Sequence, residues 1–412
     1  MTQHLAAASL CTHSRSALLT GRYPIRTGMA APIMMRVIAW ASSSYGLPSP
    51  EITFAEQTKK AGYINGLFGK WHLGIHKQKL GDFEHHPLNQ GFDYFYGPIH
   101  SNMGDCGGES RIITGQIPGW YVKLFSIWAV HTHTFLTTSK QFEGRSKFGR
   151  YGEALEELDW SVGQILKSVK EFGIDDNTLV HFTSDHGGHL EEGTDGGFNG
   201  ILKGGKSHGA SDGGIRVPGL IKWPRVIEKG KVTDEPTSLM DIYNLVSSVA
   251  GISLPADRHI DGRDILPLLK RDVLVSPQDF LYHYCGNILH AARYRPRDGI
   301  KTWKLVTREP DYIPGTTVCQ FGCSCNTDVL ATPKLYDITV DQGETTPIDS
   351  HSENYKEITP IILKAIGIHK NSIEPAETGF TLRKLAPNLS WQPCCNGTFA
   401  FNCYCTDPKY PE

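Results

Sequence analysis

The stretch CTHSRSALLTGR, which begins at Cys11, combines residue types that can act on an anion. A helix is predicted to start directly after this cysteine, with Thr12 or Ser14 as its cap and Gly21 as its end. Backbone N–H groups at a helix N-terminus favour an anion, and Arg15 adds a positive charge one turn into the helix. A nucleophile at this position would therefore meet a phosphate or a sulfate. The alternative is a capped surface helix with an incidental cysteine.

Two further patterns pair a histidine with another polar residue two positions away. In GKWHLG, Lys70 and His72 follow a predicted strand, and an extended backbone would point both side chains the same way. The pair then offers a cation beside an acid–base group. His131 and His133 repeat this spacing. Such histidines are either metal ligands or proton donors, or they are surface or core histidines with ordinary hydrogen-bond partners.

The remaining candidates lie in Gly-rich stretches. Asp185 and His186 stand where a strand is predicted to end, which is where open α/β sheets bind ligands. An adjacent Asp and His can hold a divalent metal, and carboxylate oxygens suit calcium better than zinc. The alternative is a plain loop with an Asx turn. Lys206 follows a Gly-Gly pair and can neutralise an oxyanion, although a flexible loop explains the glycines equally well.

The elements that must position these residues alternate between helix and strand. Apolar residues at helical spacing run through residues 151–172 and end at Gly173. The other predicted elements are helices at 52–61 and 239–249 and strands at 63–68, 179–182 and 220–223. This alternation favours an α/β domain built on a largely parallel sheet.

The composition changes near residue 270. Beyond it lie eight of the ten cysteines, namely Cys285, Cys319, Cys323, Cys325, Cys394, Cys395, Cys403 and Cys405. Extended pieces are predicted at 280–284, 303–306 and 334–338, and a helix near 355–366. We therefore predict a domain at 1–272, with residues 107–130 as a shortened insertion, and a smaller α+β domain at 273–412 with up to four disulfides.

Composition also limits the classes of function. The 412 residues are 39% hydrophobic and 20% charged with a net charge of −2, which is typical of a globular chain and gives no basic surface for nucleic acid. Ten cysteines and the glycosylation sequons at Asn388 and Asn396 indicate a secretory compartment. The first residues do not form a signal peptide, so we expect a sequence that is incomplete at its start. No apolar run reaches the roughly 20 residues of a membrane span.

The order of these motifs resembles that of the sulfatase family. CTHSR…LTGR, GKWHLG, HTH, SDHGG and GGK…GGIRVP follow one another as they do in that family. EPTSLMD, DGRD, HYC and the terminal CC…CYC add to the likeness, which is greatest for the branch of steroid sulfatase and arylsulfatases D, E, F and H. The resemblance covers nearly the whole chain apart from residues 107–130, where an internal deletion is expected.

The resemblance implies an alkaline-phosphatase-like α/β fold, with a large mostly parallel sheet, and hydrolysis of sulfate esters. Cys11 would be converted to formylglycine, the nucleophile, and Arg15 would hold it in place. Cys11, Asp185 and His186 would bind one calcium ion.

The other residues carried over act on the ester. Lys70, His133 and Lys206 would bind the sulfate and assist the leaving alcohol, and His72 would deprotonate the second hydroxyl of the hydrated formylglycine. The implied partners are a small aryl or steroid sulfate and the formylglycine-generating enzyme. The implied location is the lumen of the endoplasmic reticulum, Golgi or lysosome.

The sequence also departs from the family. The paired aspartates that supply two calcium ligands are expected upstream of Cys11, so calcium would be held weakly or not at all. The proline of the modification motif is His13, which lacks the fixed φ of proline. The family's Trp-Glu-Gly-Gly is here SDGG, from Ser211 to Gly214. These changes favour an alternative, a catalytically impaired or inactive lumenal protein. A metal-dependent phosphodiesterase is less favoured, because those enzymes usually use Ser or Thr as nucleophile.

Overall fold

The computed structural model describes residues 1–30, 37–101, 122–297, 299–319, 327–374, 376–388 and 391. The helices are α1 (Cys11–Thr20), α2 (Phe54–Lys60), α3 (Gly149–Glu171), α4 (Asp212–Ile215), α5 (Asp241–Ala250), α6 (Leu266–Lys270), α7 (Glu353–Asn371) and α8 (Leu382–Leu385). The strands are β1 (His4–Leu5), β2 (Ile64–Gly69), β3 (Tyr94–Tyr96), β4 (Val122–Trp128), β5 (Val180–Thr183), β6 (Arg216–Val217), β7 (Gly219–Lys222), β8 (Thr237–Ser238), β9 (Phe280–Cys285), β10 (Ile288–Tyr294), β11 (Trp303–Pro310) and β12 (Thr327–Asp337).

The N-terminal two thirds of the chain alternate between helices and strands, with parallel pairing as expected. Strand β2 lies between β3 and β4 and is parallel to both. Strand β1 is parallel to β8 and antiparallel to β6, and β5 pairs with β7 in antiparallel fashion. The predicted helices and strands of this part correspond to α2, β2, α3, β5, β7 and α5, with ends displaced by one to two residues.

The start of α1 differs from its prediction. The N-cap is Leu10 and no side chain caps the helix. Thr12 Oγ1 instead donates to the carbonyl of His72 at 3.1 Å, and Ser14 Oγ donates to that of Ala8 at 2.6 Å. Both hydroxyls are therefore used to attach the helix to neighbouring loops. The predicted end is confirmed, because Gly21 has φ +66° and its N–H bonds to Ala17 O.

Residues 122–128 form a full strand in the place where the sequence indicates a shortened insertion. Strand β4 pairs with β2 over its length. Its last residue, Trp128, stacks on Trp71 with ring centroids 6.0 Å apart. The core beside β2 is therefore closed by β4, and a tryptophan is brought under the candidate site.

The C-terminal part is an antiparallel sheet in the order β12-β11-β10-β9, with α7 packed on β10 and β11. Strand β10 was not predicted. Cys285 and Cys319 each take part in a disulfide, which agrees with an oxidised tail. The other tail cysteines, Cys106 and Asn396 lie outside the described residues, so the four-bridge framework stays a prediction.

Helix α1 joins two hydrophobic cores. Leu19 packs with Trp71, Phe92 and Tyr243 in the first core, and Ala17 belongs to the second core beneath the C-terminal sheet. Every residue of α1 except Leu18 is buried, so close packing holds the N-terminus of the helix against the surrounding loops. In the part of the chain that the structure describes, none of the helices combines the length and apolar character needed to cross a bilayer.

Candidate active site

Cys11 is the first residue of α1 and is buried, with 2% of its surface exposed. Its Sγ lies 3.1 Å from Nε2 of His186. The same histidine nitrogen lies 3.5 Å from Oδ1 of Asp185. Both partners follow directly after β5, as the sequence predicts for a strand end that faces a ligand site. One donor atom from each of the three residues lies within 4.8 Å of the others.

Arg15 connects the loops that follow β2 and β5 and contacts the last residue of β4. Its Nε and Nη2 each lie 2.9 Å from Oδ2 of Asp185, and its Nη1 donates to the carbonyl of Lys70 at 2.8 Å. The guanidinium carbon lies 5.0 Å from the ring centroid of Trp128, a cation–π contact. These contacts would allow Arg15 to position the site, as the resemblance implies. The sequence did not indicate its contact with Trp128.

Lys70, His133 and Lys206 lie in one continuous set of polar contacts. Lys70 Nζ donates to Ser101 Oγ at 2.9 Å, and that hydroxyl lies 3.4 Å from His133 Nε2. Lys206 Nζ lies 3.4 Å from the same nitrogen. His133 Nδ1 is 2.6 Å from the carbonyl of Thr134, which can only accept, so Nδ1 carries the proton and Nε2 presents a lone pair. Two ammonium groups thus flank one imidazole.

His72 reaches the site from a turn and not from the strand. Strand β2 ends at Gly69, and His72 adopts a left-handed backbone with φ +62°. The expectation that an extended backbone aligns it with Lys70 is therefore wrong. Its Nε2 lies 3.0 Å from the carbonyl of Ile38, so Nδ1 is left to accept a proton. Burial lowers the pKa of His72 to about 4, although the neighbouring Cys11 thiol opposes this shift.

The loop that carries Lys206 is pressed against the loop after β5 through glycine backbones. Lys206 N donates to Gly188 O at 2.8 Å, and Gly187 N donates to Gly214 O at 3.0 Å. A Cβ added to Gly187 would lie 1.7 Å from the carbonyl oxygen of Gly213, which no side chain could tolerate. The glycines are therefore required for close packing, and the simpler expectation of a flexible loop is not supported.

A buried network of charges anchors the far end of this loop. Asp212 lies 2.6 Å from Arg293 Nη2 and 2.7 Å from Lys304 Nζ, and all three side chains are at most 1% exposed. Glu344 also pairs with Lys304. In the sequence, Asp212 is notable only as part of the SDGG departure from the family motif. Its partners follow 81 or more positions later, so no local pattern could have indicated them.

Around Cys11, burial and the neighbouring charges shift the pKa of each group in opposite directions. Burial raises the pKa of the Cys11 thiol, but Lys70, His186, Lys206 and His133 together outweigh burial and hold that pKa well below its usual value. Burial lowers the pKa of His186, yet Asp185 and Cys11 overcome it and raise the pKa. Burial raises the pKa of Asp185, while His186 and Arg15 bring it down to about 2. These shifts favour the charged form of each of the three groups, because each lies beside a group of opposite charge.

His13 occupies the position of the family's proline. It is 1% exposed, and its ring stacks on Phe380 with centroids 5.5 Å apart. Burial lowers its pKa to about 4, so it is neutral at pH 7. The residue is thus accommodated as a packed aromatic ring in the folded protein.

The structure brings all the predicted site residues together and adds three that the sequence did not indicate. The additions are His100, whose ring meets that of His72 edge-to-face at 4.8 Å, together with Ser101 and Trp128. None of the three lies in a motif with a chemical signature. His131 was paired with His133 in the sequence, but no contact of its ring with Cys11, Lys70 or Lys206 is seen.

A second cluster of candidate ligands, Glu191, His208 and Cys319, lies beside the Lys206 loop. His208 Nε2 is 2.8 Å from Glu191 Oε1, and the same oxygen accepts from the Cys319 backbone N–H at 3.1 Å. Cys319 is disulfide-bonded, so it offers no thiolate to a metal. We interpret this cluster as structural.

Comparison with known proteins identifies the family models, relatives and solved structures that this chain resembles. The family model described as sulfatase matches residues 1–252, and the model of the C-terminal region of aryl-sulfatase matches residues 276–405. Arylsulfatase H of Canis lupus familiaris is 36% identical over 98% of this chain and 90% of its own length. Steryl-sulfatase of Homo sapiens is 36% identical over 99% of this chain and 88% of its own length. The crystal structure of the PsFucS1 sulfatase from Pseudoalteromonas sp. superposes with a TM-score of 0.72 at 21% identity, over 94% of this chain and 83% of that one.

Proposed function

The chain belongs to the sulfatase family, and we propose that it hydrolyses sulfate esters at the site built around residue 11. The observation that carries this proposal is the convergence of Lys70, His133 and Lys206, from three separate loops, near the first residue of α1. Two ammonium groups, an imidazole and a helix N-terminus offer positive charge and hydrogen-bonding groups to a tetrahedral oxyanion. A sulfate monoester requires such a setting, because negative charge accumulates on its oxygens and on the leaving alcohol as the S–O bond breaks.

We assign binding of the sulfate to the two lysines and the helix N-terminus. Lys70 is buried and fixed by Ser101, so it is a rigid point of charge. Lys206 is half-buried and lies on the side of His133 that has a lone pair. When the ester bond breaks, the Lys206 ammonium can give a proton to the departing alcohol, and His133 Nε2 positions that ammonium by accepting from it.

Residue 11 is assigned as the nucleophile. Formylglycine made from Cys11 would supply, in its hydrated form, one hydroxyl as the nucleophile towards sulfur and a second hydroxyl whose deprotonation would allow sulfate to leave. The surroundings fit such a group, because Cys11 is buried among polar side chains. His72 faces it with an unprotonated Nδ1 and takes the role of base, and Arg15 holds the adjoining loops in register.

The calcium ion that the resemblance implies does not fit the donors present. Calcium takes six to eight oxygen ligands. Among the described residues, the candidate ligands near Cys11 are one thiol, one imidazole and one carboxylate, and one oxygen of that carboxylate already holds Arg15. No step of the proposed reaction is therefore assigned to calcium.

The wider setting follows from the same family membership. We propose small aryl or steroid sulfates as substrates, from the likeness to arylsulfatase H and steryl-sulfatase. We also propose the formylglycine-generating enzyme as a maturation partner. The cysteines and the sequons at Asn388 and Asn396 support a glycoprotein of the secretory lumen. Residues 1–272 would be the catalytic domain and 273–412 the C-terminal subdomain.

A second candidate function, a sulfatase-like protein without turnover, is favoured by one specific observation. His13 replaces the proline of the modification motif and is packed against Phe380. If this residue prevents recognition by the modifying enzyme, position 11 stays a thiol, and the site binds a sulfate ester without cleaving it.

The test is hydrolysis of a fluorogenic aryl sulfate by the purified, secreted chain beside its Cys11→Ala variant. The mass of the peptide that contains residue 11 shows whether the thiol has been converted, and the melting transition shows that both proteins are folded. Activity that disappears in the variant supports the enzyme. Equal rates from a folded, converted chain and its variant would refute the assigned nucleophile. A folded chain that retains the thiol and has no activity would support the second candidate.

A further inference from the structure

The donors around Cys11 match zinc better than calcium. We propose that, as long as Cys11 remains a thiol, Cys11 Sγ, His186 Nε2 and Asp185 Oδ1 form a zinc site with one open coordination position. This inference goes beyond the proposed hydrolysis, because it concerns the unconverted chain.

The distances suit a tetrahedral ion. Zinc binds nitrogen and oxygen at about 2.0–2.2 Å and sulfur at about 2.3 Å, so tetrahedral ligand atoms lie about 3.3–3.6 Å apart. The Sγ–Nε2 distance is 3.1 Å and the Nε2–Oδ1 distance is 3.5 Å. A shift of a few tenths of an ångström would open the Sγ–Nε2 pair to the expected separation.

Neighbouring groups orient two of the three ligands. His186 Nδ1 lies 2.8 Å from the carbonyl of Gly187, so Nδ1 donates there and Nε2 is the nitrogen that faces Cys11. A metal ion would bind this Nε2 by displacing any proton it carries. Arg15 holds Asp185 through Oδ2 alone. Oδ1 therefore remains available on the side of His186. Such second contacts are typical of zinc sites, where they fix the tautomer of the histidine and the direction of the carboxylate.

The chemical types of the donors discriminate between metals. Thiolate and imidazole are preferred by zinc and related soft or borderline ions, whereas calcium and magnesium prefer oxygen. Three protein ligands leave a fourth position for water or for an oxygen of a bound sulfate or phosphate. Lys70 and Lys206 both lie close enough to Cys11 to attract negative charge to it. Their positive charge would also balance an anion in the fourth position.

A consequence is that zinc and formylglycine exclude each other. Conversion of Cys11 removes the sulfur, which is the ligand that distinguishes zinc from calcium here. A chain that has bound zinc therefore holds residue 11 as a thiolate.

The experiment uses the full-length secreted chain. The mass of the Cys11 peptide measures which fraction of the chain keeps the thiol and which has been converted. Zinc is added to the metal-free thiol form and its stoichiometry and affinity are measured. Cobalt is then substituted to reveal the sulfur-to-metal charge-transfer band that only thiolate ligation gives. The expected result is one zinc per chain, the cobalt band, and at least a tenfold preference for zinc over calcium.

Variants identify the ligands. We expect Cys11→Ser to abolish the cobalt band and to weaken zinc binding at least about 100-fold, since even outer-shell changes cost 10–100-fold. Asp185→Asn, which preserves the shape of the side chain, should weaken binding about tenfold. Glu191→Gln alters the other described cluster and should leave zinc binding unchanged.

Two outcomes would overturn the proposal. One is unchanged zinc binding in a folded Cys11→Ser protein, and the other is loss of zinc from Glu191→Gln alone. Neither readout involves a sulfate ester, so a failed zinc site and a failed hydrolase give different results.

Discussion

Arg15 and Asp185 are joined through a single carboxylate oxygen, with Nε and Nη2 of the guanidinium each 2.9 Å from Oδ2. The remaining nitrogen, Nη1, bonds to the backbone of Lys70. One side chain on α1 thereby fixes the loop after β2 and the loop after β5. Because these loops carry Lys70 and His186, the geometry of the site depends on a residue that has no chemical step of its own.

Arg15→Lys is expected to lower kcat/KM for an aryl sulfate by about 10- to 100-fold while the protein stays folded. Lysine keeps the charge, but it cannot bridge Asp185 and the Lys70 carbonyl at once, because it lacks the planar fork of arginine. Steady-state kinetics and a melting curve would check this. Arg22→Lys is a matched control, since Arg22 pairs with Glu51 away from the site. Wild-type kinetics in Arg15→Lys would contradict the positioning role.

Lys206→Ala is expected to reduce kcat/KM by about 100-fold and to weaken inhibition by inorganic sulfate. Loss of one preorganised donor at a developing charge typically costs this much. Lys206 is half-buried, so its removal should leave the melting temperature nearly unchanged. Lys229→Ala, at an exposed lysine, serves as the control. Sulfate inhibition equal to that of the wild type would remove Lys206 from the binding site.

Gly187→Ala is expected to abolish activity and to lower stability, because its Cβ would meet the carbonyl oxygen of Gly213 at 1.7 Å. Gly163→Ala offers a contrast. Gly163 lies within α3 with open space around its Cβ position, so alanine should stabilise the protein by about 0.5–1 kcal/mol. Urea unfolding of both variants would check the pair. A fully active Gly187→Ala protein would show that the two loops can separate without harm.

The stability of the fold is expected to decrease on acidification from about pH 6.5 to pH 4. Burial lowers the pKa of His290 and of His369 to about 4, below the 6.5 of an unfolded histidine. In that interval the unfolded chain binds protons that the folded chain does not, so stability is lost as the pH falls. Each pKa unit corresponds to about 1.4 kcal/mol.

The measurement is the free energy of unfolding in urea at pH 7 and at pH 4.5. His369→Gln should reduce the dependence on pH, because glutamine keeps a polar group near Tyr284 and does not titrate. His351→Gln changes an exposed histidine and should not affect the slope. Equal stability at both pH values would show that these buried histidines are protonated in the folded protein.

Asp212→Asn is expected to destabilise the protein by about 3–5 kcal/mol, since it leaves Arg293 and part of the charge of Lys304 buried without compensation. Denaturant unfolding would measure the loss. Asp234→Asn, at an exposed carboxylate that lies 3.9 Å from Arg295, should have little effect. A loss below about 1 kcal/mol would mean that Glu344 alone suffices for Lys304.

The longer helices and several strands could be predicted, and so could the candidate residues that the structure brings together, because their signals are local. The periodicity of α3 and the alternation of short strands with helices need only neighbouring residues. The motif around Cys11 and the Asp185–His186 pair at a strand end likewise lie within a few positions of each other. The carried-over roles of these residues still await the experiments above.

What could not be predicted depends on distant partners. Thr12 and Ser14 are good caps by type, but loops from elsewhere use their hydroxyl groups. His72 leaves the strand direction because its turn has a left-handed backbone, which an isolated GKWHLG motif does not reveal. Trp128 reaches Arg15 only through the pairing of β4 with β2.

The charges that hold Asp212 impose an order on biosynthesis. Its partners Arg293 and Lys304 leave the ribosome 81 and 92 residues after it, and Glu344 follows 132 residues after it. At about 5–20 residues per second, the nascent chain exposes an unpaired acid next to the Lys206 loop for on the order of ten seconds. Completion of this network therefore waits until Glu344 has been synthesised, and a nascent chain released earlier would carry Lys206 without the charges that anchor its loop.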